Sequence, residues 1–353
     1  MTVRFRLDAH PRVAIAGATG AVGRELVALL AEGWLQPASL KLLASERSAG
    51  KRIGFRDAEL EVEALSDAAF DDVDLALFSC GKERSLRFAR AATERGAVVV
   101  DNSSAFRLEP DVPLVVPEVN GACLRGASGQ LASRVVANPN CSTILLVVVL
   151  APLVAAFGLR RAIVSTYQAA SGAGARGVEA LLTDTRSALD AGAGAAVSPA
   201  VFGQELAFNV VPQIDRFVDP DRPSGAVTGE ERKVVFETRK ILGAPDLPMD
   251  VTCVRVPVLR CHSESVTIET ETSCSIDAAR RALAAADGVE LVDDPATATY
   301  PMPNLAEGRG PVLVGRVRAS HVFANGLSFF LSGDQLLKGA ALNTVQIARA
   351  LQT

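Results

Sequence analysis

Hydrophobic and polar residues alternate along the first hundred residues in blocks that predict strands and helices in turn. Short apolar runs with the character of buried strands occur at 12–16, 40–44, 74–78 and 97–100. Apolar residues recur at helical spacing over 20–32 and 82–95. Strands separated by helices are typical of a parallel sheet, so the N-terminal part is predicted to be an α/β domain.

The pattern changes after residue 140. The apolar stretch 144–157 is shorter than the roughly 20 residues of a membrane span and predicts a buried helix. Longer β-patterns follow at 162–166, 252–259, 266–272 and 312–318, with a helix at 278–286. These elements predict a second, α+β domain with a largely antiparallel sheet. The expected domains are 1–140 together with a final helical stretch, 335–353, and 141–334.

The amino-acid composition argues against several classes of protein for this chain. Hydrophobic residues make up 49% and charged residues 22%, as in globular rather than disordered chains. The net charge of −4 offers no cationic excess for nucleic acid or a membrane surface, so neither is expected as a partner. Six cysteines without CxxC spacing indicate no metal site and favour a cytoplasmic location. The small-residue run 191–199 predicts a mobile loop.

A glycine-rich turn follows the first predicted strand and opens a helix. It reads Gly17-Ala-Thr19-Gly20-Ala21-Val22-Gly23. Glycines there allow a tight turn and let backbone N–H groups approach a pyrophosphate at the helix N-terminus. An ordinary turn would also use glycine, but the position within a β-α-β unit favours dinucleotide binding.

The segment after the second strand bears on which dinucleotide binds. Glu46 could accept hydrogen bonds from a ribose diol, as NAD requires. Arg47, Ser48 and Lys51 instead supply the donors that a 2′-phosphate needs, which favours NADP. A solvated charged loop is the alternative to both.

The string Asn138-Pro-Asn140-Cys141-Ser-Thr presents a cysteine at a predicted helix start. The helix dipole and its N–H groups stabilise a thiolate there, which favours a nucleophile. A small buried hydrophobic residue is the usual role of a single cysteine, and Cys80 also follows a strand. The polar turn before Cys141 distinguishes it.

A thiolate nucleophile usually requires an acid/base partner, and three histidines are available. His10 lies in the N-terminal extension and His321 in a predicted turn. His262 lies where a strand pattern breaks into a polar turn, seven residues after Arg255. A purely structural role for His262 is the alternative.

The chain resembles the aspartate-β-semialdehyde dehydrogenase family over nearly its whole length. The resemblance is carried by GATGAVG (17–23), ASERSAGK (44–51), VVVDNSSAFR (98–107), ANPNCSTI (137–144), STYQAASGAGARG (165–177), EERKVVFETRKIL (230–242), CVRVPVLRCHSESV (253–266) and DQLLKGAALNTVQIA (334–348). It implies a Rossmann-like, parallel-sheet NADP-binding domain and an α+β substrate and dimerisation domain.

The resemblance also implies residue roles. Cys141 would be the nucleophile, His262 the acid/base and Gln168 the residue that orients the substrate beside the thiol. Implied substrate contacts are Arg255 for the carboxylate, Arg107 and Lys233 for phosphate, Glu231 for the amino group, and Asn140. Implied cofactor contacts are Gly17, Thr19, Gly20, Ala21, Val22, Gly23, Arg47, Ser48, Ser171, Gly172 and Gln335.

The implied reaction is the NADPH-dependent, reversible reduction of L-4-aspartyl phosphate to L-aspartate 4-semialdehyde and phosphate, in the biosynthesis of lysine, methionine, threonine, isoleucine and diaminopimelate. A homodimer or tetramer is expected. One alternative is an N-acetyl-γ-glutamyl-phosphate reductase, whose substrate has no ammonium group. Another is a non-catalytic relative that acts as a binding protein, although the nucleophile, base and arginines are all present.

Overall fold

A computed structural model describes residues 7–126, 130–191, 201–218 and 225–352. The chain divides into two compact units. Unit 1 comprises Met1–Asn140 and Gly339–Thr353, and unit 2 comprises Cys141–Lys338. Each unit is described below by itself.

Unit 1 is built on a seven-stranded sheet. Its strands are β1 (Arg12–Ala16), β2 (Ser39–Ala44), β3 (Arg52–Phe55), β4 (Ala58–Ala64), β5 (Leu75–Phe78), β6 (Val98–Asp101) and β7 (Val135–Ala137). Its helices are α1 (Ala21–Ala31), α2 (Lys82–Glu94), the short α3 (Pro117–Asn120) and the C-terminal Leu342–Ala350.

The sheet order is β3-β4-β2-β1-β5-β6-β7, with every pair parallel except the edge hairpin β3–β4. The central strands β1, β5 and β6 are apolar because both of their faces are buried. The order reverses at β1, and parallel α/β sheets bind ligands at such a reversal, beyond the carboxyl ends of the strands. The glycine turn follows β1 at that end.

Unit 2 combines a six-stranded sheet with helices. Its strands are β8 (Arg161–Gln168), β9 (Phe217–Val218), β10 (Val227–Thr228), β11 (Met249–Arg255), β12 (His262–Glu269), β13 (Val289–Leu291), β14 (Val312–Ala319) and β15 (Gly326–Gly333). Its helices are α4 (Cys141–Phe157), α5 (Ala175–Ala191), α6 (Gly229–Leu242), α7 (Ile276–Ala284) and α8 (Pro303–Ala306). The C-terminal helix of unit 1 is therefore α9.

The large sheet of unit 2 has the order β11-β8-β12-β15-β14-β13. Its central pairs are antiparallel, and its two edge pairs, β11–β8 and β14–β13, are parallel. One face of β8 is buried through Ala162, Val164, Thr166 and Gln168, whereas Ile163 and Tyr167 on the other face are exposed. Helix α4 is buried continuously from Ser142 to Leu150, which its apolar sequence requires.

The strand register of the unit 2 sheet arranges the buried face of β11, β8 and β12 in rows that change from polar to apolar. In the first row, Arg255 of β11 lies opposite Gln168 of β8. In the second, Thr166 lies between Cys253 and Glu264, and in the third Val164 lies between Val251 and Val266. His262 lies two residues before Glu264 on β12 and therefore on the same face. The polar row at the strand ends thus gives way to the apolar core within two steps.

The predicted fold class is confirmed: a Rossmann-like parallel-sheet domain accompanies a second domain whose sheet is largely antiparallel. Six strands were missed, because short, exposed or glycine-bearing strands lack a continuous apolar run. They are β3, β4, β9, β10, β13 and β15. The predicted turn at His262 is wrong, since β12 begins there. The final predicted helix starts later, because a turn at 334–336 and a π-helical segment, Leu337–Ala341, precede α9. The predicted loop over 191–199 falls, apart from its first residue, outside the described residues.

Within the described ranges, no helix is both long and apolar enough to cross a bilayer. The same residues contain no group of three histidine, cysteine or acidic side chains arranged to hold a metal ion.

Candidate active site

The predicted phosphate-binding turn of unit 1 has the geometry that its glycines suggest. Gly17 directly follows β1 with a φ of +95°, and a Cβ there would lie 2.3 Å from the carbonyl oxygen of Ser79. Gly20 is the N-cap of α1, and no acidic residue lies in the first turn of that helix. The positive end of the helix dipole therefore has no competing carboxylate, which suits a bound phosphate. Thr19, Ala21, Val22 and Gly23 lie in this same turn and helix start.

A pocket of about 470 Å³ lies beyond the end of β2 in unit 1. Arg47 lines it from the short 3₁₀ turn Glu46–Ser48, in which Ser48 is buried. Helix α2 adds Arg84 and Arg87 to the lining, so three guanidinium groups face two carboxylates, Glu46 and Glu83. Sequence analysis missed the two α2 arginines. Their i, i+3 spacing at the start of a helix that follows a central strand was the available signal.

Arg107, a predicted phosphate contact, is buried in unit 1. Its Nε donates to the carbonyl oxygen of Asn138 at 3.0 Å, and its Nη2 donates to that of Asn102 at 2.7 Å. The Asn138 amide also donates to the side chain of Asn102 and accepts from that of Asn343. This network fixes the turn that leads to Asn140, the buried residue directly before Cys141.

Cys141 is the first residue of α4 and is partly exposed. Its sulfur interacts electrostatically with the guanidinium of Arg255. Burial raises the pKa values of the Cys80, Cys253 and Cys261 thiols, which makes these three poor nucleophiles. A helix N-terminus and a nearby cation distinguish Cys141 from them.

His262 is fully buried, and the direction of its ring is defined. Its Nδ1 accepts a hydrogen bond of 3.0 Å from the backbone N–H of Ala169. Its Nε2 is buried without a hydrogen-bond partner. Burial, followed by repulsion from Arg255, holds the pKa of His262 well below its usual range. Because Nδ1 must remain an acceptor, the neutral ring carries its proton on Nε2.

Arg255 and His262 converge on Gly172. The Nη1 of Arg255 donates to the carbonyl oxygen of Ala169 at 2.7 Å. A Cβ on Gly172 would lie 2.6 Å from that Nη1 and 3.2 Å from the Nε2 of His262. Only glycine allows the 3₁₀ turn Ala170–Ala173 to approach the guanidinium and the imidazole this closely.

Gln168 links the first row of the sheet to helix α6. Its Oε1 accepts from the hydroxyl of Thr166 at 3.0 Å, and its Nε2 donates to Glu230 at 3.1 Å. Glu230 in turn pairs with Lys233, which also contacts Asp215. Burial acts to lower the pKa of Lys233, but the two carboxylates outweigh it and raise that pKa. The cluster therefore holds one ammonium and two carboxylates close to Gln168.

Glu231, predicted to bind a substrate amino group, has a different position. One of its oxygens accepts from the backbone N–H of Thr228 in the capping box of α6, and the other accepts from that of Cys253. Glu230 is the acidic residue that contacts the Gln168–Lys233 cluster. The helical period explains the difference, since residues 230 and 233 share a face of α6 and residues 231 and 233 do not.

Ser171 and Gln335, both predicted cofactor contacts, lie together in unit 2. The amide of Gln335 donates to the hydroxyl of Ser171, and its oxygen accepts from the backbone N–H of Cys261 at 2.8 Å. Both ends of this side chain therefore have partners within unit 2.

Comparison with known proteins agrees with this architecture. The family description "Semialdehyde dehydrogenase, NAD binding domain" matches residues 12–127, and "Semialdehyde dehydrogenase, dimerisation domain" matches residues 150–338. The chain is 46% identical to the aspartate-semialdehyde dehydrogenase of Synechocystis sp., covering 96% of this chain and 97% of that one. It is 44% identical to the enzyme of Bacillus subtilis, at 96% and 97% coverage.

Among solved structures, aspartate semialdehyde dehydrogenase II from Vibrio cholerae complexed with ASA superposes with a TM-score of 0.91. The identity is 40%, and the match covers 98% of each chain.

The nucleotide-type parallel sheet and the matches to semialdehyde dehydrogenase domains define an NAD(P)-binding oxidoreductase. The chain belongs to the aspartate-semialdehyde dehydrogenase family. The resemblance found in the sequence is thereby confirmed.

The buried carboxyl group of Glu264 is expected to make the unfolding free energy depend on pH. Both of its oxygens are buried without hydrogen-bond partners, and burial raises its pKa well above the usual 4.5. The folded state therefore keeps a proton that the unfolded chain releases above about pH 4.5, so folding stability falls as pH rises. Glu264→Gln should remove this loss. Its advantage in unfolding free energy over the wild type should grow above pH 4.5, by up to about 1.4 kcal/mol per pH unit.

Denaturant unfolding of both proteins between pH 4.5 and 8 measures this difference. The exposed substitution Glu61→Gln on β4 is the matched control and should give a difference that does not change with pH. A pH-independent difference for Glu264→Gln would show that this carboxyl group ionises normally.

Proposed function

We propose that this protein catalyses the reversible, NADPH-dependent reduction of L-4-aspartyl phosphate to L-aspartate 4-semialdehyde and phosphate. The observation that carries the proposal is the convergence of Arg255 and the Nε2 of His262 on Gly172, together with the electrostatic contact of Arg255 with Cys141. The names of the relatives and the ASA complex of the V. cholerae enzyme support the same substrate. This reaction would serve the synthesis of the aspartate-derived amino acids.

The thiolate of Cys141 attacks the acyl carbon of the aspartyl phosphate. The carbon–oxygen bond to phosphate breaks, phosphate leaves with the bonding electron pair and takes a proton from solvent, and a thioester forms on the sulfur. When bound, NADPH supplies the hydride that reduces this thioester. The Nε2–H of His262 donates a hydrogen bond to the developing alkoxide, which then re-forms the carbonyl group as the carbon–sulfur bond breaks and the sulfur leaves with the bonding electron pair. The aldehyde leaves and the thiolate is restored.

Charge in the cluster matches the substrate. The guanidinium of Arg255 suits the α-carboxylate, and Glu230 suits the α-ammonium group. Lys233 is proposed to bind phosphate and Gln168 to orient the acyl group, and Arg107 stays a predicted phosphate contact. An N-acetylated substrate has no cation for Glu230, which disfavours the glutamyl-phosphate alternative. A non-catalytic binding protein would not need a neutral imidazole beside the arginine that interacts with a helix-start thiol.

The proposed cofactor is NADP rather than NAD. The glycine turn and the start of α1 would hold its pyrophosphate, since the N-cap makes no side-chain hydrogen bond and the first turn of the helix carries no carboxylate. The guanidinium groups of Arg47, Arg84 and Arg87 outnumber the carboxylates in the pocket beyond β2 and suit a 2′-phosphate. Glu46, the residue that would favour NAD, lies among them.

We propose a homodimer rather than a tetramer, formed through the open face of the unit 2 sheet. Ile163 and Tyr167 are 43% and 38% exposed on that face, and the Tyr167 ring lies 6.0 Å from that of Phe330. The family description of this unit as a dimerisation domain supports the assignment. The cytoplasmic location also stays a proposal, supported by six cysteines that are all thiols.

The activity itself is tested by phosphate-dependent reduction of the cofactor with each semialdehyde, in the presence of NADP or NAD. We expect turnover with L-aspartate 4-semialdehyde and NADP. Cys141→Ala should lower the rate by about 10³-fold or more, because it removes the nucleophile. Cys274→Ala is the matched control and should retain the rate. Equal rates in the two variants would refute the role of Cys141.

Variants of the adjacent residues Glu230 and Glu231 distinguish a role in substrate binding from a role in helix capping. Glu230→Gln should lower kcat/KM for the aldehyde by about 10- to 100-fold, because a charge-assisted contact with the ammonium is lost. Glu231→Ala should instead lower the unfolding free energy by about 1 kcal/mol through loss of the cap. Steady-state kinetics and denaturant unfolding distinguish the two effects. The reverse pattern would restore Glu231 as the substrate ligand.

The proposed preference for NADP over NAD is tested by substituting arginines of α2 and of the 3₁₀ turn Glu46–Ser48. Arg47→Ala and Arg84→Ala should each raise KM for NADP by about tenfold and leave KM for NAD nearly unchanged, because only NADP carries the 2′-phosphate. Arg90→Ala, on the same helix and paired with Glu94, is the control. Similar losses with both cofactors would contradict the proposed pocket.

A further inference from the structure

The residue before His262 has an unusual backbone conformation. Cys261 is fully buried and has a φ of +74°, in the left-handed region that favours glycine. Backbone strain of this kind persists only where surrounding contacts enforce it. The contacts that enforce it here therefore also determine where β12 starts, and with it the position of the imidazole.

Gln335 supplies the direct contact with this strained residue. Its Oε1 accepts the hydrogen bond from the backbone N–H of Cys261 at 2.8 Å, and the side chain is buried. Its neighbour Asp334 holds the preceding residue, since Oδ2 of Asp334 accepts from Nε of Arg260 at 2.8 Å. Two consecutive side chains at the end of β15 thus hold two consecutive residues before β12.

The other end of the Gln335 amide reaches the turn that contacts the imidazole. Its Nε2 donates to the hydroxyl of Ser171. Ser171 lies directly before Gly172, where a Cβ would lie 3.2 Å from the Nε2 of His262. It also lies two residues after Ala169, whose N–H donates to Nδ1. The backbone N–H of Ser171 also donates to the carbonyl oxygen of Leu259 at 3.1 Å. One amide therefore connects the two segments between which His262 is held.

We propose that Gln335 is a positioning residue for His262. It keeps Cys261 in its left-handed conformation and keeps the 169–172 turn against the ring, so that Nδ1 stays an acceptor and the Nε2 proton stays directed at the site. This role rests on the proposed function for its effect on turnover. It differs from a direct contact with the cofactor, which would need the amide groups that Cys261 and Ser171 already occupy.

The charged surroundings of His262 determine what loosening the ring would do. Arg255 on β11 is the charged group that acts on the imidazole, and Glu230 on α6 and Cys141 on α4 act on Arg255 in turn. Glu264 lies two residues further along β12. A ring released from the Ala169 N–H could rotate, bind a second proton or exchange tautomers, and it would then no longer present a fixed donor.

The test combines kinetics with nuclear magnetic resonance of ¹⁵N-labelled histidine rings, using wild-type protein, Gln335→Leu and Gln335→Glu. The chain has three histidines, so His10→Asn and His321→Asn assign the spectrum. We expect wild-type His262 to show the Nε2–H tautomer and no titration between about pH 5 and 8. In Gln335→Leu it should titrate or show mixed tautomers, and kcat should fall about tenfold or more with KM for NADP within about twofold.

Gln335→Glu retains an acceptor for the Cys261 N–H and for the Ser171 hydroxyl proton, so it should recover part of kcat and restore the Nε2–H tautomer. Gln346→Leu on α9, which removes a glutamine contact with Glu118 in unit 1, is the matched control and should leave the His262 spectrum unchanged. If Gln335→Leu does not fold, Ser171→Ala removes one arm of the contact and should produce a smaller change of the same kind.

Two results would overturn the proposal. One is a His262 spectrum and kcat that Gln335→Leu leaves unchanged. The other is a rise in KM for NADP with kcat retained, which would assign Gln335 to the cofactor. The spectrum does not depend on turnover, so wild-type protein that is inactive with L-aspartate 4-semialdehyde would refute the proposed function and leave the positioning role to be decided by the resonance data.

Discussion

The hydrogen bond from the backbone N–H of Ala169 to Nδ1 of His262 determines the chemistry available to unit 2. A backbone N–H can only donate, so this nitrogen must remain unprotonated while the bond persists. Burial and the nearby guanidinium of Arg255 disfavour a second proton on the ring. The imidazole is thus neutral at physiological pH, with its one proton on the nitrogen that has no partner. A donor arranged in this way is suited to a developing alkoxide, whereas an imidazolium would be repelled by the guanidinium of Arg255.

Strand register brings the remaining groups to the same place. Arg255 and Gln168 are paired residues of neighbouring parallel strands, and His262 begins the next strand of the sheet. Two residues deeper the same face carries Thr166, whose hydroxyl orients Gln168, and Glu264, whose buried carboxyl group lacks a partner. Two residues deeper again, β11, β8 and β12 each carry a valine on this face. The site is therefore the polar end of an otherwise apolar sheet face, which keeps water away from the reacting groups and strengthens their electrostatic interactions.

The sequence predicted those turns and helices that are determined by residues close together in the chain. The glycine turn after β1, the helix that begins at Cys141 and the continuous burial of α4 follow from residue type and period alone. The burial that raises the pKa values of the Cys80, Cys253 and Cys261 thiols, and so distinguishes them from Cys141, could be seen only in the structure. The resemblance to a family named most of the remaining cluster. It named Glu231, which caps α6, whereas Glu230 is the neighbour that contacts Gln168 and Lys233. The helical period indicates this contact, because Glu230 and Lys233 are one turn apart.

Contacts between segments that lie far apart in the sequence could not be predicted from it. His262 was expected in a turn because the strand pattern breaks at Arg260 and Cys261, yet that break is a strained connection held by Gln335, more than seventy residues away. Arg84 and Arg87 reach the pocket of Arg47 only because β5 lies beside β1 and β1 beside β2. Neither relation leaves a signal in local composition.

The central claim concerns the location of one proton, and neutron diffraction from deuterium-exchanged crystals of the wild-type protein observes it directly. The account predicts nuclear density for a deuteron on Nε2 of His262, none on Nδ1, and one on the nitrogen of Ala169 directed at Nδ1. Density on Nδ1, whether alone or together with Nε2, would contradict it.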